Sequence, residues 1–185
     1  MIGADAPLDE VCFIVGDALH RAGVTAVLTG GSAATVYAPG AYQSDDIDFV
    51  LTFGPGGAGA AARVLAELGF NLKNAAYHHR NGVHLVEFPP GPLAIGDDQI
   101  TKWDTFVRHG RTLSIISPTD CVRNRLASYY YFRDRTALGA VVVVALAHRD
   151  RIDVKVIKRW SEREAEGIGR AYRIEERLQE FLDRL

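Results

Sequence analysis

Asp46 and Asp48 stand in the run Asp46-Ile47-Asp48-Phe49-Val50-Leu51, where acidic and apolar residues alternate. In a strand, positions i and i+2 share a face, so the two carboxylates project together while Ile47, Phe49 and Leu51 enter the core. Paired carboxylates repel each other unless a hard cation lies between them, and Mg²⁺ or Mn²⁺ takes such oxygen ligands. Upstream, Gly30-Gly31-Ser32 follows the apolar run Val24–Leu28 and opens a small-residue helix, Ala33–Tyr37. Glycines let a ligand approach the backbone, and a helix start offers free N–H groups at the positive end of a dipole. A seat for phosphate beside a Mg²⁺ dyad points to nucleotide chemistry.

The elements that position these residues read in order. Leu8, Val11, Ile14, Val15, Ala18 and Leu19 form a helical stripe over residues 8–22, ended by Gly23. Val24–Leu28 is a strand, and Pro39-Gly40 closes the short helix after the glycine turn. Asp45 falls on the face opposite Asp46 and reads as a loop residue or a supporting group. Gly54-Pro55-Gly56-Gly57 ends the acidic strand, and Ala58–Leu68 forms an alanine-rich helix capped by Gly69. Leu72–Arg80 and Val83–Phe88 read as a hairpin with Asn81-Gly82 as a type I′ turn. Val83, Leu85 and Glu87 then share a face, where a carboxylate needs a partner. Leu93–Asp98 is a loop, and Thr105–Arg108 pairs with Thr112–Ile116 across His109-Gly110. From Ser117 the pattern is helical. Ser117-Pro118 opens the first helix and Asp134 the next, Thr136–His148, with Val141–Val144 inside it. Asp153 opens a third helix through Trp160, and Ile168–Leu185 is an amphipathic fourth.

The glycine–serine turn followed by Asp46-x-Asp48 resembles the signature of the polymerase-beta-like nucleotidyltransferase superfamily. That resemblance covers about the first third of the chain. It implies that Gly30, Gly31 and Ser32 hold the triphosphate of an NTP and that Asp46 and Asp48 bind the catalytic metals. It also implies a third acid on a neighbouring strand, for which Glu87 is the candidate; a strand-end glutamate facing solvent is the alternative. Some nucleotidyltransferases related to abortive-infection toxins carry a basic residue on the helix after the sheet and an Arg-Asp pair beyond it. Arg133-Asp134 matches that pair, and Arg123 or Arg125 stands where those relatives show lysine, so Arg123, Arg125 and Asp134 become candidate nucleotide-binding residues. A solvated basic face with Asp134 as an ordinary helix cap is the competing reading.

Other constellations carry less. His78 and His79 alternate faces on a strand and cannot share one metal, so these, His84 and His109 read as structural. No P-loop, which needs GxxxxGK[ST], occurs. Tyr129, Tyr130 and Tyr131 could stack on a base, but their helical spacing favours the core. Cys12 and Cys121 match no metal spacing and read as buried thiols.

With 185 residues and a formal charge of −2, the chain lacks the overall basic footprint of a tight nucleic-acid binder. No membrane-spanning run or signal peptide is evident, which makes a cytoplasmic protein the expectation. The fold expected is α+β: a nucleotidyltransferase core of mixed sheet and helices over 1–116, followed by a helical portion over 117–185. The activity expected is Mg²⁺-dependent transfer of NMP from an NTP to a hydroxyl on RNA, protein or a small molecule. A cognate antitoxin is a possible partner. An inactive nucleotide-binding module acting through a protein partner is the alternative.

Overall fold

The computed structural model describes residues 2–52, 57–80, 82 and 84–185. The first helical stripe forms α1 (Leu8–Arg21), which buries Leu8, Val11, Phe13, Val15 and Leu19. It packs on β1 (Thr25–Thr29), the glycine turn leads directly into α2 (Gly30–Tyr37), and the acidic strand is β2 (Ile47–Thr52). After α3 (Gly57–Glu67), three short strands follow: β3 (Phe70–Lys73), β4 (Ala76–His79) and β5 (Leu85–Glu87). A two-residue pair, β6 (Ala94–Ile95) and β7 (Asp98–Gln99), precedes the hairpin β8 (Asp104–Arg108) and β9 (Arg111–Ile115). The helices α4 (Pro118–Phe132), α5 (Arg135–Ala147), α6 (Val154–Glu164) and α7 (Ile174–Leu182) complete the chain. The architecture is the α+β arrangement expected from the sequence.

Seven strands form one mixed sheet in the order β3-β4-β5-β2-β1-β9-β8. β1 runs antiparallel to β2 and parallel to β9, while β2 runs parallel to β5. The central strand β2 therefore carries Asp48, and the glycine turn follows its neighbour β1. One buried cluster joins sheet residues such as Val27, Phe49 and Ile115 to Leu126, Tyr130, Val141 and Trp160 of the helices. α2 packs against both α4 and α5, so the helix that begins at the glycine turn is clamped between sheet and helical portion.

Three local expectations are corrected. Leu72–Arg80 is not one strand: Asn74 and Ala75 take φ of 53° and 66°, turning β3 back on β4 in a hairpin. Asparagine tolerates that left-handed region, and it was the available signal. Leu93–Asp98 is not plain loop, because β6 and β7 pair around Gly96. The final helix does not run unbroken from Ile168: a 3-10 helix over Gly167–Tyr172 ends at Arg173, where φ of 52° breaks the chain before α7. Asn81 and Val83, expected in the β4–β5 turn and strand, lie outside the described residues, as do Gly54, Pro55 and Gly56. β4 and β5 do pair antiparallel, and Val141–Val144 are helical as read.

Candidate active site

β2 is held between β1 and β5 with Asp48 opposite Thr29 on one side and Glu87 on the other. That register is the consequence of apolar alternation: Ile47, Phe49 and Val86 are buried, which fixes the opposite phase for the acids. Asp46 lies one residue ahead of the strand, in a bend, rather than in the ladder. Asp46, Asp48 and Glu87 each offer one carboxylate oxygen, and these oxygens lie within 4.8 Å of one another. Among the described residues no other group of three or more His, Cys, Asp or Glu side chains meets in this way. The sequence pairing of Asp46 and Asp48 and the addition of Glu87 are both realised in space.

The glycine turn abuts these acids. Gly30 has φ of 64°, and a Cβ there would stand 2.2 Å from Asp48 Oδ2, so both backbone and space demand glycine. Ser32 is fully buried; its Oγ–H donates to the Thr29 carbonyl at 2.8 Å and its Oγ accepts from the Asp48 N–H at 3.1 Å. The hydroxyl is thus committed to holding α2 against β2. What the turn presents to a ligand is backbone N–H from the first turn of α2, where intrahelical partners are lacking. Gly31 does not face open space. A Cβ on it would sit 2.5 Å from Ser44 Oγ and 3.0 Å from the Tyr42 hydroxyl.

Of these acids, Asp48 is the one set deepest between neighbours. Burial first, then the charges of Asp46 and Glu87, raise the Asp48 carboxyl to about 6. Arg125 opposes that rise, which places a positive charge within reach of the cluster. A group of carboxylates held at this spacing with one cationic neighbour is a donor set for a hard divalent cation.

The candidate arginines separate. Arg123 is not available to a nucleotide, contrary to expectation: its side chain is 5% exposed and paired with Asp98 and Asp120, the latter at 2.9 Å. It also lies over the Trp160 ring, 5.3 Å from its centroid. It staples α4 to β7, and Asp98 in turn takes Arg163. Arg125, two residues on, turns to another side of the helix; its guanidinium donates to Ser128 Oγ at 2.5 Å while its buried Nε has no partner. Asp134 caps α5, accepting from the Thr136 and Ala137 N–H groups. Burial pushes its carboxyl up, but the Thr136 and Ala137 hydrogen bonds and the Arg125 charge bring it below its ordinary value. Arg133 is exposed at the left-handed end of α4.

The residues set aside behave as read. Tyr130 is buried and stacked on Trp160, and Tyr129 is buried beside it. His84 binds the Ala6 carbonyl at 2.6 Å, and His78 and His79 are respectively exposed and buried. Cys12 and Cys121 are buried free thiols. Sequence reasoning missed Ser44, a loop residue whose Oγ–H donates to Asp46, and Thr35 inside α2, whose Oγ accepts from the Ser44 N–H; nothing in their local pattern marked them.

No protein-family model and no curated protein matches the sequence. Solved structures do match. A crystal structure of an antigenic nucleotidyltransferase-like protein from Paracoccidioides brasiliensis superposes with a TM-score of 0.60 at 16% identity, covering 78% of each chain. ANT(2")-Ia in complex with adenylyl-2"-tobramycin gives 0.55 at 14% identity over 89% of this chain and 96% of that one. The solution structure of the antibiotic-resistance factor ANT(2'')-Ia gives 0.51 at 16% identity, over 84% and 93%. This is a nucleotidyltransferase fold. Within it, the acid cluster spans the central strand β2 and its neighbour β5, the glycine turn follows β1 on the other side of β2, and Arg125 approaches from the helical side. No helix among the described residues is long and apolar enough to cross a membrane.

Proposed function

We propose that this chain transfers a nucleoside monophosphate from a nucleoside triphosphate to an acceptor hydroxyl, with Mg²⁺ or Mn²⁺ bound by Asp46, Asp48 and Glu87. The observation that carries the reading is the meeting of those three carboxylates beside a glycine turn whose Gly30 leaves no room for any side chain. An all-oxygen donor set fits a hard divalent cation, and the raised Asp48 carboxyl is what such a set shows without one. A cation held there supplies the positive charge that stabilises the attacking and departing oxygens at phosphorus. The fold shared with ANT(2")-Ia, solved with adenylyl-2"-tobramycin, supports the same chemistry.

The chain's own residues divide the remaining work. Backbone N–H groups at the start of α2 bind the β- and γ-phosphates, which directs the α-phosphate toward Asp48. The acceptor oxygen forms a bond to the α-phosphorus as the bond to the bridging oxygen breaks and pyrophosphate leaves. Glu87 completes the donor set and stands beside Asp48 to take the acceptor's proton. Arg125 sets a guanidinium on the helical side of the acids, where a fork of N–H donors suits phosphate. The register that pairs Glu87 with Asp48 favours an active enzyme over an inactive binding module.

A thermal-shift series tests the reading. Each of the four NTPs is added with and without Mg²⁺, and stabilisation by nucleotide is expected only when Mg²⁺ is present and only with Asp48 intact. Equal stabilisation without metal, or in Asp48→Asn, overturns it. A role as the toxin of a toxin–antitoxin pair rests on Arg133-Asp134; growth arrest on expression, relieved by a neighbouring gene's product, is its test. Unaffected growth together with labelling of a small molecule assigns a small-molecule acceptor instead.

A further inference from the structure

The three acids are not held in the same way. Asp48 and Glu87 sit in the ladder, opposite one another, and the Asp48 N–H is fixed by Ser32 Oγ. Asp46 precedes the strand, so no ladder bond fixes it. Its carboxylate is instead met by Ser44, whose Oγ–H donates to Oδ1 at 3.1 Å. Ser44 is itself anchored: its N–H donates to Thr35 Oγ1 at 2.9 Å, and that hydroxyl donates to the Gly31 carbonyl at 3.2 Å. Ser44 is 8% exposed and Thr35 2%, so water does not substitute freely for either hydroxyl. The chain of bonds runs from the glycine turn, through the interior of α2, to the one acid outside the sheet. The absence of a side chain on Gly31 completes it, because a Cβ there would stand 2.5 Å from Ser44 Oγ.

We infer that Ser44 and Thr35 are positioning residues that aim Asp46 at the cation, an inference that rests on reading Asp46, Asp48 and Glu87 as the metal site. A hydroxyl has one proton, and spending it on Oδ1 fixes the carboxylate while leaving Oδ2 for the cation. A ligating carboxylate that is hydrogen-bonded from behind binds its metal more tightly, and losing such a partner lowers affinity by about 10–100-fold. The arrangement also ties phosphate seat to metal seat: Thr35 reads the position of the Gly31 carbonyl and passes it to Ser44. A shift of the turn therefore moves Asp46.

Mn²⁺ titration followed by EPR of the free ion, on the full chain without nucleotide, tests the inference. Ser44→Ala is expected to raise the Mn²⁺ Kd by about 10-fold or more, with the metal-free Tm little changed. Thr35→Val, which removes the acceptor for the Ser44 N–H, is expected to act in the same direction, and Thr35→Ser to restore binding. Gly31→Ala should weaken Mn²⁺ by displacing Ser44. Should Thr35→Val fail to fold, Ser44→Ala decides alone. Wild-type Mn²⁺ affinity in Ser44→Ala, whatever its Tm, overturns the positioning role. Asp48→Asn is run in parallel: unchanged Mn²⁺ binding there removes the metal site itself and this inference with it, which separates the two failures.

Discussion

Burial and two neighbouring carboxylates act on Asp48, and the effect has a measurable sign. Its carboxyl is raised to about 6 by burial and by Asp46 and Glu87, above an ordinary unfolded value near 3.9. The folded protein thus binds this proton more tightly than the unfolded chain does. Ionised Asp48 destabilises the metal-free fold above about pH 6, and that penalty is lost progressively as pH falls toward 4. The shift corresponds to at most about 3 kcal/mol, reduced by solvent screening at a partly exposed site. Asp48→Asn should therefore raise the metal-free Tm at pH 7.5, by roughly 2–4 °C for each kcal/mol relieved. The gap should close by pH 3.5, and thermal melts in chelator at the two pH values check it. A Tm at or below wild type at pH 7.5 contradicts the crowding. The two arginines predict opposite phenotypes. Arg123→Ala leaves Asp120 and Asp98 without their buried partner and should cost about 3 kcal/mol of stability with metal affinity intact. Arg125→Ala should lower NTP affinity with little loss of Tm, and denaturant melts beside nucleotide titrations separate the two.

At the scale of elements, the site depends on how a turn, a helix and two strands are locked. Ser32 joins the start of α2 to β2 through two hydrogen bonds made by one hydroxyl. Ser32→Ala leaves the buried Thr29 carbonyl and Asp48 N–H without that partner, at about 1–3 kcal/mol, and should also weaken Mn²⁺ by releasing Asp48. Parallel melts and Mn²⁺ titrations check this; loss of stability alone would mean that Ser32 is only structural. Much of this frame was legible in the sequence. The alternation after Asp46 set the face of Asp48, and the position of Glu87 in its strand set the third acid on the same side. What was not legible depended on long-range partners. Nothing near Arg123 announces Asp98, which arrives from a two-residue strand, so a structural staple resembled a phosphate fork. Ser44 acquires its role only because Thr35 lies across from it. The break at Arg173 has no glycine or proline to mark it, since an arginine there adopts the left-handed region that glycine usually supplies.

Across the whole molecule, charge is divided along the chain. Residues 1–116 hold 12 acidic and 7 basic side chains, whereas residues 117–185 hold 11 acidic and 14 basic. The sheet portion brings the acids to the centre, and the helical portion packs against α2 and sets Arg125 near them. A negatively charged triphosphate bridging a cation on one side and a guanidinium on the other would bind where the two portions meet. The most direct measurement is transfer of label from α-³²P NTPs, supplied singly with Mg²⁺ or Mn²⁺, to acceptors in a cell extract. Labelled acceptor should appear with wild type, require the metal, vanish in Asp46→Asn and Asp48→Asn, and fall by about two orders of magnitude or more in Glu87→Gln. Transfer that persists at near wild-type rate in either aspartate variant, or no metal-dependent labelling by a folded wild-type protein, contradicts the account.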